Sequence, residues 1–254
     1  MKKYRVMLCL FGILTFYHCK ETKKNEYLQL NTNKSQIDNK NTIFLDSLQA
    51  TKAKIHQKLT KQGLIRVSDL DSTISVELQY STSHNFLKKD VYGAFDDAYL
   101  QAPIAKKLIE AQKILKQTNP DFSLLIYDAF RPHKVQYLMW EIVKKNHQTH
   151  YVASPKNGSV HNFGCAVDVT IYDNKTQKPL DMGTPFDFFG KEAEPKHQNY
   201  FLKKGILTPT HIKNRKLLNQ AMIKAKFKGI DNEWWHFEGL PKHIAKQKYG
   251  FVDF

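Results

Sequence analysis

Apolar residues along the chain follow two patterns in turn, one typical of strands and one typical of helices. Residues 74–80 alternate apolar and polar side chains, which predicts a half-buried strand. Residues 123–127 form a short apolar run, and residues 167–171 alternate again, so each predicts a further strand. Residues 233–238 predict a last strand near the C-terminus.

Helical spacing separates these strands. Pro103 is suited to the first turn of a helix, and Asn119-Pro120 would end it. Residues 133–146 and 213–226 predict two further helices. The elements do not follow regular β-α-β spacing, so we expect an α+β fold: a single domain with a central, mostly antiparallel sheet flanked by helices. The apolar residues at helical spacing in the first helix are Ile104, Leu108, Ala111 and Leu115.

The first nineteen residues resemble a processing signal. Basic residues at positions 2, 3 and 5 precede an apolar run, residues 6–17, that is too short to span a bilayer. The run ends at Cys19. Two interpretations stay open, a lipoprotein signal in which Cys19 is lipidated and attaches the protein to a membrane, and an ordinary secretory peptide. Both predict an exported protein in the periplasm or cell envelope.

The segment after the signal is polar. Residues 20–44 contain few apolar side chains, so burial cannot offset the entropy of ordering them, and we expect a disordered tether. The folded domain is then expected over residues 45–254. With 254 residues in total and 41% hydrophobic residues, the chain can bury one substantial core.

The chain carries a formal net charge of +15. Its lysines are scattered, and no basic stretch interleaved with aromatic residues suggests nucleic-acid binding. We therefore expect a solvated basic surface, which would also suit anionic cell-wall material. Three cysteines, two of them in the first nineteen residues, cannot form a disulfide framework.

Two short stretches carry the candidate chemistry. Residues 159–168 contain His161 and Asp168, and Glu233-Trp234-Trp235-His236 adds a second imidazole and a second carboxylate. Two imidazoles, one carboxylate ligand and a spare carboxylate are the parts of a catalytic zinc site with an open position for water. A single histidine is often structural, but an aspartate within an apolar strand needs a partner or a metal.

Several alternatives stay open on spacing alone. Residues three apart on a flat strand point to opposite faces, so Glu233 and His236 would not meet at one metal unless the strand twists or ends there. Glu233 could instead be a surface residue. Arg131, at the end of a predicted strand, could stabilise an oxyanion or form a salt bridge with Asp128. Ser159 could contact a substrate or serve only as a turn residue.

Together these stretches resemble a known family. Residues 127–132, 159–168 and 233–236, in this order, are similar to the D-alanyl-D-alanine dipeptidases, zinc peptidases that share a fold with D,D-carboxypeptidases and the hedgehog signalling domain. The similarity extends to residues 78–80 and 182–188 and to the aromatic C-terminal end. It therefore covers almost the whole predicted domain.

The resemblance implies a role for each residue of the metal site. It implies that His161, Asp168 and His236 bind one Zn²⁺ ion. It further implies that Glu233 is the general base, which takes a proton from the attacking water and later delivers it to the leaving amine. Arg131 would stabilise the tetrahedral oxyanion.

The resemblance also implies how a small dipeptide substrate is held. Asp187, with Tyr80, would bind the free amino terminus, since an ammonium in a closed pocket requires a carboxylate partner. Ser159 would contact the substrate. Cys165 occupies a variable position of the motif, as an extra ligand or as a buried inert thiol. No obligatory protein partner is expected.

Two other functions compete with D-Ala-D-Ala hydrolysis. A D,D-carboxypeptidase or another peptidoglycan peptidase on the same scaffold would trim longer stem peptides. A non-catalytic zinc-binding module is the second alternative, but all three predicted ligands, Glu233 and Arg131 are present, which argues against it.

Overall fold

The computed structural model describes residues 40–254, which fall into two compact units. The described part of the first unit, residues 40–51, is helical and almost wholly exposed. The second unit, Lys52–Phe254, contains the sheets and the candidate site. None of the helices within the described residues combines the length and apolarity needed to cross a bilayer.

The predictions for the N-terminus fall mostly outside the described part of the chain. Residues 1–39, which include the predicted signal and Cys19, are not described. Residues 40–44, expected as the end of the tether, are helical. Propagating a helix costs less than starting one, so a helix formed over the apolar residues from Ile43 onward can extend into the polar residues before them.

The second unit alternates short strands and helices. Its helices are α1 (residues 52–61), α2 (Ala102–Thr118), α3 (His133–Lys145), α4 (Gln198–Lys203), α5 (Pro209–Lys224) and α6 (Lys242–Lys248). Its strands are β1 (Leu64–Arg66), β2 (Ser75–Val76), β3 (Tyr99–Gln101), β4 (Phe122–Asp128), β5 (Ala166–Asp173), β6 (Lys178–Pro179), β7 (Lys228–Gly229) and β8 (His236–Glu238).

The strands form two sheets. The larger sheet has the order β2-β4-β5-β8-β7, with β6 paired to β5, and the smaller sheet consists of β1 and β3. Every pairing is antiparallel except that of β2 with β4. The predicted α+β fold with a mostly antiparallel sheet is therefore confirmed.

The central strands and α2 form the core. Leu124 and Ile126 of β4 are fully buried, as are Val167, Val169 and Ile171 of β5. Helix α2 begins with Pro103 in its first turn and ends before Asn119, as predicted. Burial of its apolar face, rather than helix propensity alone, stabilises the helix. All four apolar residues that predicted it, Ile104, Leu108, Ala111 and Leu115, have no exposed surface.

The strand predicted over residues 74–80 is wrong for most of its length. Only Ser75–Val76 pair as a strand, and Gln79–Ser81 form a 3-10 turn. The alternation nevertheless identified the buried side chains, because Ile74, Leu78 and Tyr80 are all almost fully buried. The alternation therefore identified buried positions rather than a strand. The 3-10 turn brings Tyr80 to the candidate site.

Two further element boundaries differ from the predictions. Helix α5 begins at Pro209 rather than at residue 213, because the Thr208 hydroxyl accepts a hydrogen bond from the His211 backbone N–H at 3.3 Å and caps the helix. Strand β8 begins at His236, so Glu233 lies in the preceding loop. The strand periodicity that seemed to separate these two side chains therefore does not apply to Glu233.

Candidate active site

Asp168 lies in the middle of a row of polar residues across the large sheet. In the strand register it pairs with Asp128 of β4 on one side and with His236 of β8 on the other. The register shifts between Ile126 and Asp128, which marks a β-bulge. Bulges of this kind redirect side chains next to active sites. The sheet itself therefore brings two of the three predicted metal ligands together.

His161 is delivered by a capped turn immediately before β5. The 3-10 turn Val160–Phe163 contains it, and the Ser159 hydroxyl accepts a hydrogen bond from the His161 backbone N–H at 3.4 Å. Gly164 ends the turn with φ of 65°. A Cβ atom there would lie 2.7 Å from Leu64 Cδ2 and 3.3 Å from the Gln101 backbone nitrogen, so both the positive φ and the close packing favour glycine. Ser159 is thus a turn residue, as one interpretation predicted, and it also lines the cavity described below.

The three predicted ligands form a compact triangle. The Nε2 atom of His161 lies 3.0 Å from Nδ1 of His236 and 3.2 Å from Oδ1 of Asp168, and the third side, from His236 Nδ1 to Asp168 Oδ1, is 2.9 Å. A tetrahedral ion with bonds of about 2.0–2.1 Å holds its ligand atoms ~3.3 Å apart. The donor types and their spacing therefore fit such an ion.

Neighbouring groups orient both imidazoles. The Nδ1 atom of His161 lies 2.7 Å from the carbonyl oxygen of Ala129, so Nδ1 donates and Nε2 is left as a metal ligand. His236 presents Nδ1 to the cluster, and its Nε2 lies 3.9 Å from a carboxylate oxygen of Glu238. An imidazole whose second nitrogen is held by such a neighbour keeps the tautomer and ring orientation that metal binding requires.

Asp168 is ionised despite being only 2% exposed. Burial alone would raise its pKa, but the adjacent imidazoles of His161 and His236 hold the pKa below its ordinary value. A carboxylate that stays charged at neutral pH is suited to bind a cation.

Glu233 reaches the cavity from the loop before β8. Burial raises the pKa of Glu233 to about 7, although His236 and Arg131 oppose that rise. A carboxyl group in this range can both accept and release a proton near neutral pH. Of the two tryptophans that follow, Trp235 lines the cavity, and the buried Trp234 donates from Nε1 to Thr184 Oγ1 at 2.9 Å.

Arg131 is held firmly at the cavity wall. Its Nε and Nη2 atoms donate to Asp128 Oδ2 at 2.9 and 2.6 Å, and Nη1 donates to Gln136 Oε1 at 3.2 Å. Tyr92 donates to the other oxygen of Asp128 at 2.6 Å. The predicted salt bridge is therefore present. The guanidinium also lies 3.7 Å from Asp168 Oδ2 and borders the cavity, so the salt bridge positions it there.

Asp187 and Tyr80 form a second acidic position in the same cavity. The Tyr80 hydroxyl lies 3.0 Å from both carboxylate oxygens of Asp187. Asp187 has φ of 59°, an uncommon conformation for a non-glycine residue. Burial and the nearby Asp168 charge raise the pKa of Asp187 to about 8. This carboxyl group has no cationic side chain in salt-bridge contact among the described residues.

One cavity of about 280 Å³ unites the predicted site residues. Phe86, Tyr151 and Phe189 form an aromatic part of its wall, with the rings of Tyr151 and Phe189 stacked at 4.5 Å. The roles implied by the resemblance stay predictions, but the cavity brings together every residue for which a role was predicted. These are Tyr80, Arg131, Ser159, His161, Asp168, Asp187, Glu233 and His236.

The sequence did not reveal several residues that hold the predicted site residues in place or add to the cavity lining. Tyr92 and Gln136 hold Asp128 and Arg131, and Lys242 lines the cavity from the start of α6. No spacing pattern distinguishes these residues from ordinary core or helix residues. Cys165 is fully buried, and burial raises the pKa of its thiol to about 12, which agrees with the inert thiol rather than the extra ligand.

The fold and the site together define a class. An α+β domain that brings two histidines and an aspartate to one point beside a buried glutamate is typical of a metal-dependent peptidase. Residues 60–253 match the peptidase family M15, described as D-Ala-D-Ala dipeptidase, and the chain belongs to this family.

Individual relatives agree with this assignment. The D-alanyl-D-alanine dipeptidase of Escherichia coli (strain K12) is 30% identical over 179 residues, which cover 70% of this chain and 85% of the relative. The D-alanyl-D-alanine dipeptidase of Enterococcus faecium is 26% identical over 194 residues, covering 69% and 90%. That of Enterococcus faecalis is 25% identical over 211 residues, covering 76% and 98%.

Replacing Asp187 with asparagine should stabilise the metal-free protein at high pH. The folded state raises the pKa of Asp187 to about 8, whereas an exposed aspartate titrates near about 4. The contribution of this carboxyl group to stability is therefore full below about pH 4 and is lost progressively between about pH 4 and about pH 8. Asparagine keeps an acceptor for Tyr80 and does not ionise.

Thermal unfolding of the chelator-treated protein between pH 5 and pH 9 measures the effect. The gain in Tm of Asp187→Asn over the unmodified chain should grow with pH. The exposed Asp231→Asn serves as the control and should show no such growth. A Tm difference for Asp187→Asn that is constant with pH would contradict the burial of an ionisable group at this position.

Proposed function

We propose that the chain hydrolyses the dipeptide D-Ala-D-Ala to two D-alanines, with a Zn²⁺ ion held by His161, Asp168 and His236. The observation that carries this proposal is the placement of Asp187 and Tyr80 in the same cavity as the ligand triangle. An acidic group that lacks a cationic partner among the described residues suits a substrate with a free amino terminus. The similarity to D-alanyl-D-alanine dipeptidases supports the same substrate.

The donor set supports zinc as the metal. Two imidazole nitrogens and one carboxylate oxygen are the protein ligands of several catalytic zinc sites, which leave a fourth position for water or substrate. When bound, zinc lowers the pKa of a water molecule and polarises the carbonyl of the scissile bond. Ala129 and Glu238, which contact the outer sides of the two imidazoles, keep the ligand atoms directed inward.

Glu233 acts as the proton carrier. With a pKa raised to about 7 by burial, its carboxylate takes a proton from the attacking water and passes that proton to the leaving amine. Its position in the loop before β8 supports this role, because the loop directs the carboxylate into the cavity without making it a fourth ligand.

Arg131 stabilises the negative charge that develops on the carbonyl oxygen. The bidentate contact with Asp128 and the bond to Gln136 keep the guanidinium in place before the substrate arrives. A donor fixed in advance needs no reorganisation during the reaction, which is the source of its catalytic effect.

Asp187 and Tyr80 bind the ammonium group of the dipeptide. An ammonium beside Asp187 provides the positive charge that the buried carboxyl group lacks, so binding ionises Asp187 fully. Ser159 contacts the substrate from the wall beside His161. The three residues select a short substrate, because a longer peptide has no free amine at this position.

Glu233→Gln should separate proton transfer from metal binding. The variant keeps the volume of the side chain but cannot accept a proton, so turnover should fall by roughly 10²- to 10⁴-fold while the metal content is unchanged. His236→Ala should instead lose the metal. Elemental analysis and steady-state hydrolysis of D-Ala-D-Ala measure both; near-normal turnover in Glu233→Gln would refute the role of Glu233.

Acylation of the substrate amine should lower activity. N-acetyl-D-Ala-D-Ala cannot form the ion pair with Asp187, so the free dipeptide should be cleaved at least tenfold more efficiently, as judged by kcat/KM. D-Ala-L-Ala serves as the control for the configuration of the C-terminal residue. Faster cleavage of the acetylated substrate would favour the alternative function, a D,D-carboxypeptidase acting on longer stem peptides.

We also propose that the protein is exported and held at the cell envelope through a lipid on Cys19, on the basis of the N-terminal sequence pattern. Metabolic labelling with a fatty-acid analogue should mark the full-length chain in the membrane fraction. Cys19→Ser should lose the label, whereas Cys9→Ser, within the cleaved segment, should keep it. An unlabelled protein with an intact first residue in the cytoplasm would contradict export.

A further inference from the structure

Lys242 is a cation on the wall of the catalytic cavity that lacks a close partner among residues 40–254. It is half-buried, lines the cavity at the start of α6, and makes no hydrogen bond or salt bridge within that part of the chain. Burial lowers the pKa of Lys242, although the Glu238 carboxylate nearby opposes that change. A partly desolvated ammonium without a contact partner favours the arrival of an anion.

The other strong cation of the cavity is already engaged. Arg131 makes two hydrogen bonds to Asp128 and one to Gln136. The rest of its guanidinium group faces Asp168 and the ligand triangle. Lys242 is the one lysine among the residues that line this cavity. It is therefore the cation that remains available for a negatively charged part of a ligand.

Lys242 and Asp187 do not neutralise each other. The charges that act on Lys242 are those of Glu238 and Lys246, and Asp187 is not among them. Asp187 contacts Tyr80 and the Phe86 backbone instead. Lys242 therefore stands on the side of the cavity where Glu238 approaches the outer edge of His236, and Asp187 stands beside Tyr80. The cavity lining thus offers an acidic and a basic position at separate places.

A free dipeptide is a zwitterion with one charge of each sign. We propose that Lys242 binds the C-terminal carboxylate of the substrate while Asp187 binds its ammonium group, so that the two side chains together select for dipeptide length. The inference rests on the proposed dipeptidase function, and it assigns a specificity-determining residue that the sequence motifs do not include.

The first experiment compares Lys242→Met with Lys246→Met, in the full chain loaded with zinc. Lys246 is exposed one turn further along α6 and serves as the matched control. Loss of a charge-assisted hydrogen bond should raise KM for D-Ala-D-Ala by roughly 10- to 100-fold with a smaller change in kcat. Lys242→Arg should recover part of the loss, and Lys246→Met should leave both constants unchanged.

The second experiment varies the substrate. The unmodified protein should cleave D-Ala-D-Ala at least tenfold more efficiently than D-Ala-D-alaninamide, which lacks the carboxylate charge. Lys242→Met should lose this preference. If Lys242 only balances Glu238, the variant will lower activity on both substrates equally, and the inference is overturned.

The outcomes also separate this inference from the function on which it rests. A zinc-loaded protein that cleaves neither substrate contradicts the proposed dipeptidase function. A protein that cleaves the free dipeptide and its amide equally well supports that function and overturns the role of Lys242. This last comparison needs no variant, so it holds even if Lys242→Met fails to fold.

Discussion

The concentration of carboxyl groups around one buried cavity is the constraint on which the rest of the site depends. Asp128 and Asp168 are almost fully buried, and each is balanced within the protein, Asp128 by Arg131 and Asp168 by the two imidazoles. Among the described residues, neither Asp187 nor Glu233 has a cationic side chain in salt-bridge contact, and burial raises the pKa of both. The balanced pair builds the site, and the proposed function assigns the unbalanced pair to substrate and water.

The elements that carry these groups differ in kind. Asp168 and His236 stand in register on neighbouring strands, and His161 lies in a turn that Gly164 ends at a positive φ. Glu233 and Asp187 come from loops. Candidate ligands on strands and a capped turn, with further candidate site residues on loops, match the common division between scaffold and function in enzymes.

The residue types of the site could be predicted from the sequence, but their backbone settings only in part. Asp168 is buried in a strand, as its apolar neighbours indicated, and the alternation up to Tyr80 correctly reported burial. The same alternation predicted a strand where a 3-10 turn forms, because buried turns produce the same pattern. Glu233 was placed on β8 although it precedes that strand. Lys242 carried no local signal, since its place in the cavity depends on how α6 packs.

The ligand triangle also has a mechanical consequence for the whole domain. His236 is 75 residues from His161 and 68 from Asp168 along the chain, so a bound ion would close one long loop, from Asp168 to His236, and one short loop between His161 and Asp168. Cys165, the cysteine within the described residues, forms no disulfide. The ion would therefore act as the covalent cross-link that the domain lacks, lowering the entropy of the unfolded chain. Resistance to unfolding and to proteolysis would then depend on the metal supply of its surroundings.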